Sequence, residues 1–183
     1  MVRTTDVICT ISLFIDYRHF DAANITPRYE FGFGLSYTTF EYSGMSITPV
    51  EDEQDQDGAL EANWAAGNPS PQVVGASTAL WLHRAAFTVS FTVENIGSSA
   101  GMEIPQVYLH FPAQAGEPPS VLRGFTDVYL QPGEAKSVTI TLSRYDLSIW
   151  DVINQSWIRP AGSYSLSVGA SSRDFRLNGT IPL

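Results

Sequence analysis

Asp146 and Asp151 are the first residues to weigh for chemistry, because two carboxylates close together can serve as a general acid and base. Metal chemistry would need a ligand pattern, but His19, His83 and His110 share no ligand spacing. Cys9 is the only cysteine, which leaves no zinc motif and no internal disulfide. The serines, histidines and aspartates do not form a nucleophile-elbow signature. Gly32-Phe33-Gly34 lacks the strand, the glycine spacing and the helix of a dinucleotide site. Arg123 and Arg159 could each meet a carboxylate, and a structural salt bridge is the reading preferred to a substrate clamp. On this count no metal site and no cofactor is expected.

The elements that would carry these residues read as strands. The chain has 183 residues, with glycine and proline plentiful, aromatics at 12% and charged residues at only 16%. That composition favours an all-β domain with many turns over a helical bundle. Residues 87–94 alternate strictly, with Phe87, Val89, Phe91 and Val93 on one face. Phe40, Tyr42, Met45 and Ile47 form an earlier strand with a bulge expected at Gly44, ended by Pro49. Val107, Leu109 and Phe111 share one face of another strand, and Gln106, Tyr108 and His110 the other. Val138, Ile140 and Leu142 alternate with polar residues, residues 147–152 and 155–159 read as a hairpin, and Tyr164, Leu166, Val168, Phe175 and Leu177 complete the set. Short strands separated by turns at intervals of about 8 to 12 residues specify a two-sheet antiparallel β-sandwich of immunoglobulin or fibronectin III type.

Two segments fall outside that pattern. Residues 1–36 read as an extended arm, in which Tyr29, Phe31 and Phe33 surround Gly32 and Gly34 without a helical or strand period. Large rings beside two flexible glycines suit either a segment that lies flat on another domain or a hairpin corner inside the same one. Residues 50–80 read as a long acidic loop: Glu51, Asp52, Glu53, Asp55, Asp57 and Glu61 are followed by Gly67-Asn68-Pro69-Ser70-Pro71. Trp64 and Trp81 near its ends are expected to tack the loop to the domain, the alternative being a platform on which a sugar stacks.

The net charge of −9 argues against nucleic acid and anionic membranes as partners. Arg3 and the apolar residues 7–15 have the outline of a signal peptide, but Asp6 intrudes and no small-residue cleavage site follows. The stretch is not read as a signal, and it is too short to span a bilayer. Acceptor sequons at Asn24, Asn154 and Asn178 suit a secreted protein, the first weakened by Pro27.

A set of ordered motifs carries a family resemblance. Asp16-Tyr17-Arg18-His19-Phe20-Asp21, then Pro27-Arg28-Tyr29-Glu30-Phe31-Gly32-Phe33-Gly34-Leu35-Ser36-Tyr37, resembles the entry into the C-terminal domain of fungal glycoside hydrolase family 3 β-glucosidases. Val93-Glu94-Asn95-Ile96-Gly97, Leu122-Arg123-Gly124-Phe125, Leu130-Gln131-Pro132-Gly133-Glu134, Asp146-Leu147-Ser148-Ile149-Trp150-Asp151 and Val168-Gly169-Ala170-Ser171-Ser172 follow in the family's order. The resemblance covers residues 13–183 and implies a fibronectin III-like domain over 37–183, preceded by its linker. It also places Asp146 and Asp151 in a structural strand motif.

The resemblance implies a parent enzyme that hydrolyses terminal non-reducing β-D-glucosyl residues with retention, using two carboxylates about 5 Å apart. In the family those carboxylates lie on two upstream catalytic domains, so no residue here inherits either role. The expected function is therefore accessory: to buttress those domains through Tyr29, Phe31 and Phe33, in an extracellular, carbohydrate-degrading enzyme. A truncated product or a misplaced gene start is the expectation for the missing upstream part. The alternatives are a carbohydrate-binding module that stacks glucan on Trp64, Trp81 or Tyr108, and the C-terminal half of a split β-glucosidase.

Overall fold

The computed structural model describes residues 13–51, 58–67 and 80–182. Cys9, most of the acidic run and residues 68–71 lie outside these. Among the described residues eleven strands form: β1 (Phe40–Pro49), β2 (Ala85–Asn95), β3 (Gly101–Glu103), β4 (Gln106–His110), β5 (Val121–Phe125), β6 (Val128–Leu130), β7 (Ala135–Ser143), β8 (Ile149–Asp151), β9 (Ser156–Ile158), β10 (Ser165–Gly169) and β11 (Phe175–Thr180). They pair as a three-stranded sheet β1-β2-β7, a four-stranded sheet β11-β10-β4-β5, and the two-stranded ribbons β3-β6 and β8-β9, all antiparallel. The architecture is the all-β sandwich that the alternation predicts.

Period-2 alternation builds the core directly. Val89 and Phe91 of β2 sit opposite Ile140 and Val138 of β7, so the middle of this face is apolar, while Val93 pairs with the exposed Lys136 at its end. Val107 and Leu109 of β4 pair with Val168 and Leu166 of β10 to supply the facing layer. The apolar residues among these belong to one cluster of buried side chains. Removing each such side chain from water contributes roughly 1.5–3 kcal/mol, opposed by chain entropy of similar total size. The bulge falls where the sequence places it: the β1 register shifts between Ser43 and Ser46, with Gly44 at φ +65°.

Three readings need correction. The arm is not extended throughout, because Tyr17–Ala22 form a short helix, α1. The stretch 50–80 is not structureless, because Gly58–Ala65 form a helix, α2, and Leu80–His83 a 3₁₀ turn. Its sequence lacks an apolar period, yet Ala59, Leu60, Glu61, Ala62 and Ala65 are strong helix formers, and a single ring, Trp64, anchors the helix. The third concerns β4, whose Gln106 and Tyr108 are buried although they lie on its polar face. Residues of the arm cover that face.

Candidate functional site

The arm is fastened to the outer face of the four-stranded sheet by polar contacts at several points. Gln106 at the start of β4 is the hub: its Nε2 donates to Gly32 O (2.9 Å) and to Ala170 O (2.8 Å), and its Oε1 accepts from the Tyr108 hydroxyl (2.6 Å). Gly32 has φ +78°, and a Cβ there would overlap the Gln106 amide, so both conformation and space require glycine. Ser172 N donates to Phe31 O (2.9 Å), and the Ser171 hydroxyl donates to the Glu30 carboxylate. Arg173 Nε pairs with Asp21 of α1 at 2.7 Å, while its Nη2 donates to Ile25 O. Leu122 N of β5 donates to the Tyr17 hydroxyl at 2.9 Å.

This scaffold holds a set of aromatic rings in place. Tyr17 is buried, stacked on Phe31 with centroids 4.4 Å apart and edge-on to Tyr108 at 6.2 Å. Phe31 is thus backed by Tyr17, itself braced by Tyr108, yet it stays 37% exposed. Phe33 (49%) stacks on Tyr29 (66%) at 5.8 Å. Leu35 and Tyr37 just beyond are almost wholly exposed. A cavity of about 290 Å³ opens beside Phe33 and Leu35, floored by Glu103, Asp174 and Arg176. An array of large apolar groups held at the surface by buried hydrogen bonds is what a docking surface requires.

The floor of that cavity is electrostatically tuned. Tyr42 donates to Glu103 Oε1 at 2.7 Å, and the Arg176 guanidinium lies 4.8 Å from the centre of the Tyr42 ring. Burial pushes the Glu103 carboxyl above its ordinary value, against the lowering effects of the Tyr42 hydrogen bond and of Arg176. Asn95, fully buried where the following segment joins the sandwich, uses both halves of its amide. Oδ1 accepts from Thr38 Oγ1 (2.6 Å) and Gly97 N (3.0 Å), and Nδ2 donates to Ser99 O and Leu130 O.

The sugar-stacking alternative loses its surfaces. Trp64 and Trp81 are each 4% exposed and Tyr108 is 0% exposed, so none offers a ring face to a glucan. Trp64 instead donates to Ser148 Oγ at 2.7 Å and lies under the Arg159 guanidinium at 4.8 Å, which tacks α2 to the sandwich. Arg159 also donates to Ala65 O, so among the described residues its role is a cation–π and backbone contact, not the salt bridge expected. Asp146 accepts from Ser143 N and Ser143 Oγ, and Asp151 accepts from Ile153 N and Asn154. Each carboxylate closes its own turn. Among the described residues no cluster of three or more His, Cys, Asp or Glu could hold a metal ion.

Residue types alone did not single out Gln106, Asn95 or Tyr17 as organising residues. In the sequence they are ordinary members of a strand or a motif, and their weight comes from the backbone groups the fold brings to them.

Residues 103–172 match the fibronectin type III-like domain family. With its paired antiparallel sheets, the chain is a fibronectin type III-like β-sandwich. It is 47% identical to the β-glucosidase cel3A of Pyricularia oryzae over 95% of this chain and 20% of that protein. It is 45% identical to the probable β-glucosidase D of Aspergillus flavus, over 93% and 21% respectively. Among solved structures, the β-D-glucoside glucohydrolase of Trichoderma reesei superposes with a TM-score of 0.80 at 42% identity, covering 93% of this chain and 22% of that one. A glycoside hydrolase family 3 β-glucosidase from Neurospora crassa superposes at 0.74 with 29% identity, over 92% and 28%. This chain matches the fibronectin III-like region of family 3 β-glucosidases, and it spans about one fifth of the length of the curated relatives.

Proposed function

We propose that this chain serves as an accessory domain of a family 3 β-glucosidase, seating the catalytic domains on the face made by Tyr29, Phe31 and Phe33. The observation that carries this reading is the contrast between a fastened backbone and exposed rings: Gln106, Ser172 and Arg173 fix the arm while Phe31 and Phe33 stay open to a partner. The parent activity is hydrolysis of terminal non-reducing β-D-glucosyl residues in carbohydrate breakdown, performed by carboxylates on the partner domains. The chain by itself does not catalyse it.

The test is a chimera in which this chain replaces the matching region of the Pyricularia oryzae cel3A enzyme, assayed on an aryl β-glucoside. The isolated chain should release no aglycone, and the chimera should be active. Replacing Phe31 and Phe33 together by Ser should lower the chimera's thermal midpoint well beyond the effect on the isolated chain. Equal shifts in both contexts would refute the docking role, and turnover by the isolated chain would refute the accessory role.

The proposal includes an extracellular setting, with Asn178 as the preferred glycan acceptor. Asn178 is exposed on β11 and its Oδ1 accepts from Ser167 Oγ, whereas the Nδ2 of Asn154 already donates to Asp151 at 2.7 Å. Secretion from a eukaryotic host should yield a chain whose endoglycosidase-sensitive mass is removed by Asn178→Gln. Secretion without any such mass would refute this assignment.

A further inference from the structure

A second cavity, of about 190 Å³, lies between α1, β5 and the β8–β9 hairpin, and none of the contacts described so far uses it. Its walls include Arg18, Glu117, Arg123, Tyr145, Trp150 and Trp157. The aromatic wall is built by the hairpin register, which sets Trp150 opposite Trp157 with centroids 5.6 Å apart, and Tyr145 packs on Trp157 at 4.6 Å.

The two guanidiniums combine a buried, unmet Nε with the lack of any hydrogen bond, whereas Arg28 lies exposed over Tyr29. Arg173, Arg176 and Lys136 each have a carboxylate partner, and Arg144 and Arg159 donate to backbone carbonyls. Arg18 and Arg123 make no hydrogen bond or ion pair to any described residue, and the Nε of each is buried without a partner. Each packs against a ring, Arg18 against Tyr17 at 5.6 Å and Arg123 against Phe111 at 5.5 Å. Native proteins rarely leave such donors unmet, because a desolvated cation without an acceptor is costly.

Carboxylates nearby offset these charges without bonding them. Asp146 attracts Arg123 at a distance, but it accepts both hydrogen bonds from Ser143. Glu117 lines the same cavity, and burial pushes its carboxyl upward despite both arginines. Asp146 and Glu117 thus offset the two guanidiniums in charge, but neither accepts a hydrogen bond from them, so planar donors suited to a carboxylate fork stay open in the cavity. The cavity lies near the docking face, because the guanidinium of Arg18 on its wall sits 5.6 Å from the ring of Tyr17, which stacks on Phe31.

We infer that the Arg18–Arg123 cavity receives the carboxylate of an Asp or Glu side chain from the catalytic domains, forming a charged latch beside the aromatic face. The inference rests on the accessory-domain reading and names the chemistry of the partner at one point of that interface.

Two experiments test it separately. In the isolated chain, N-acetylglutamate N-methylamide, a mimic of a Glu side chain, should shift the indole N–H resonances of Trp150 and Trp157 saturably. The neutral N-acetylglutamine N-methylamide should not, and Arg123→Gln or Arg18→Gln should weaken the carboxylate's binding roughly thirtyfold or more. No saturable shift, or equal shifts with the neutral amide, overturns the site. A stronger response to glucuronate than to the glutamate mimic overturns the side-chain occupant in favour of an acidic sugar.

In the chimera with Pyricularia oryzae cel3A, Arg123→Gln should lower the thermal midpoint more than it does in the isolated chain, and high salt should shrink that difference. If only the Phe31 and Phe33 substitutions separate the domains, the latch fails and docking stands. If only the arginine substitutions do, the latch stands and the aromatic face fails.

Discussion

Replacing Gln106 by methionine tests whether the arm is part of this domain's own fold. Methionine keeps the length and the apolar stem but removes four hydrogen bonds: to Gly32 O, to Ala170 O, from the Tyr108 hydroxyl, and a long one to Ile104 O at 3.5 Å. Gln106 is 4% exposed and Tyr108 0%, so water cannot replace these partners without opening the site. At about 0.5–1.5 kcal/mol for each net bond, with an added cost for the buried Tyr108 hydroxyl left unmet, the loss is roughly 2–4 kcal/mol. For a chain of this length each kcal/mol lowers the melting midpoint by about 2–4 °C, so a loss of about 3 kcal/mol corresponds to about 6–12 °C.

The location of the loss is as informative as its size. Gly32 belongs to the arm and Ala170 to the β10–β11 turn, so the change should loosen the arm first. Trypsin cleavage at Arg18 and Arg28 should therefore accelerate before the core melts, and amide exchange should rise at Phe33, whose N–H bonds Glu30 O, and at Ser172. A Gln106→Met variant whose stability stays within about 1 kcal/mol of the parent, with unchanged cleavage, would refute the hub role of this amide.

Three further outcomes follow from the same structure. Val89→Asp or Ile140→Asp should abolish cooperative thermal unfolding, because each places a carboxylate in the shared core of β2 and β7; a soluble, cooperatively melting variant would refute that face assignment. Trp64→Ala should cost about 3–5 kcal/mol by emptying the seat of α2 and releasing both Ser148 and Arg159, whereas Trp64→Phe should lose only about 1 kcal/mol, with denaturant melts to separate them. Glu103→Gln should make stability less dependent on pH. The folded carboxyl of Glu103 titrates above its unfolded value, so its contribution is complete below the unfolded value and is lost as pH rises through the raised one. The Gln variant keeps an acceptor for Tyr42 and carries no charge, so it should gain on the parent near pH 7 and lose that gain in acid; a parallel pH profile for the two would overturn the assignment.

The sequence by itself determined the sandwich. Alternation at Phe87, Val89, Phe91 and Val93 can be satisfied only by a strand with one buried face, and the same holds for Val138, Ile140 and Leu142. Gly44 between Ser43 and Met45 marked its bulge, and the ring pair Phe31 and Phe33 marked the exposed face. Those features are legible because they depend on neighbours two residues apart. What only the tertiary structure decided depends on groups far apart in the chain. Tyr108 lies on a face that reads as polar, and it is buried because the arm, some 70 to 90 residues earlier in the chain, folds over it. Trp64 reads as a tack with a sugar platform as the alternative, and its anchor appears only when Ser148, 84 residues away, takes its N–H. Arg123 reads as a salt-bridge residue until α1 and β5 bring it and Arg18 to one cavity. Periodicity reports which face of an element is apolar; which polar group finds a partner across the sandwich is fixed by packing, and a linear pattern carries no record of it.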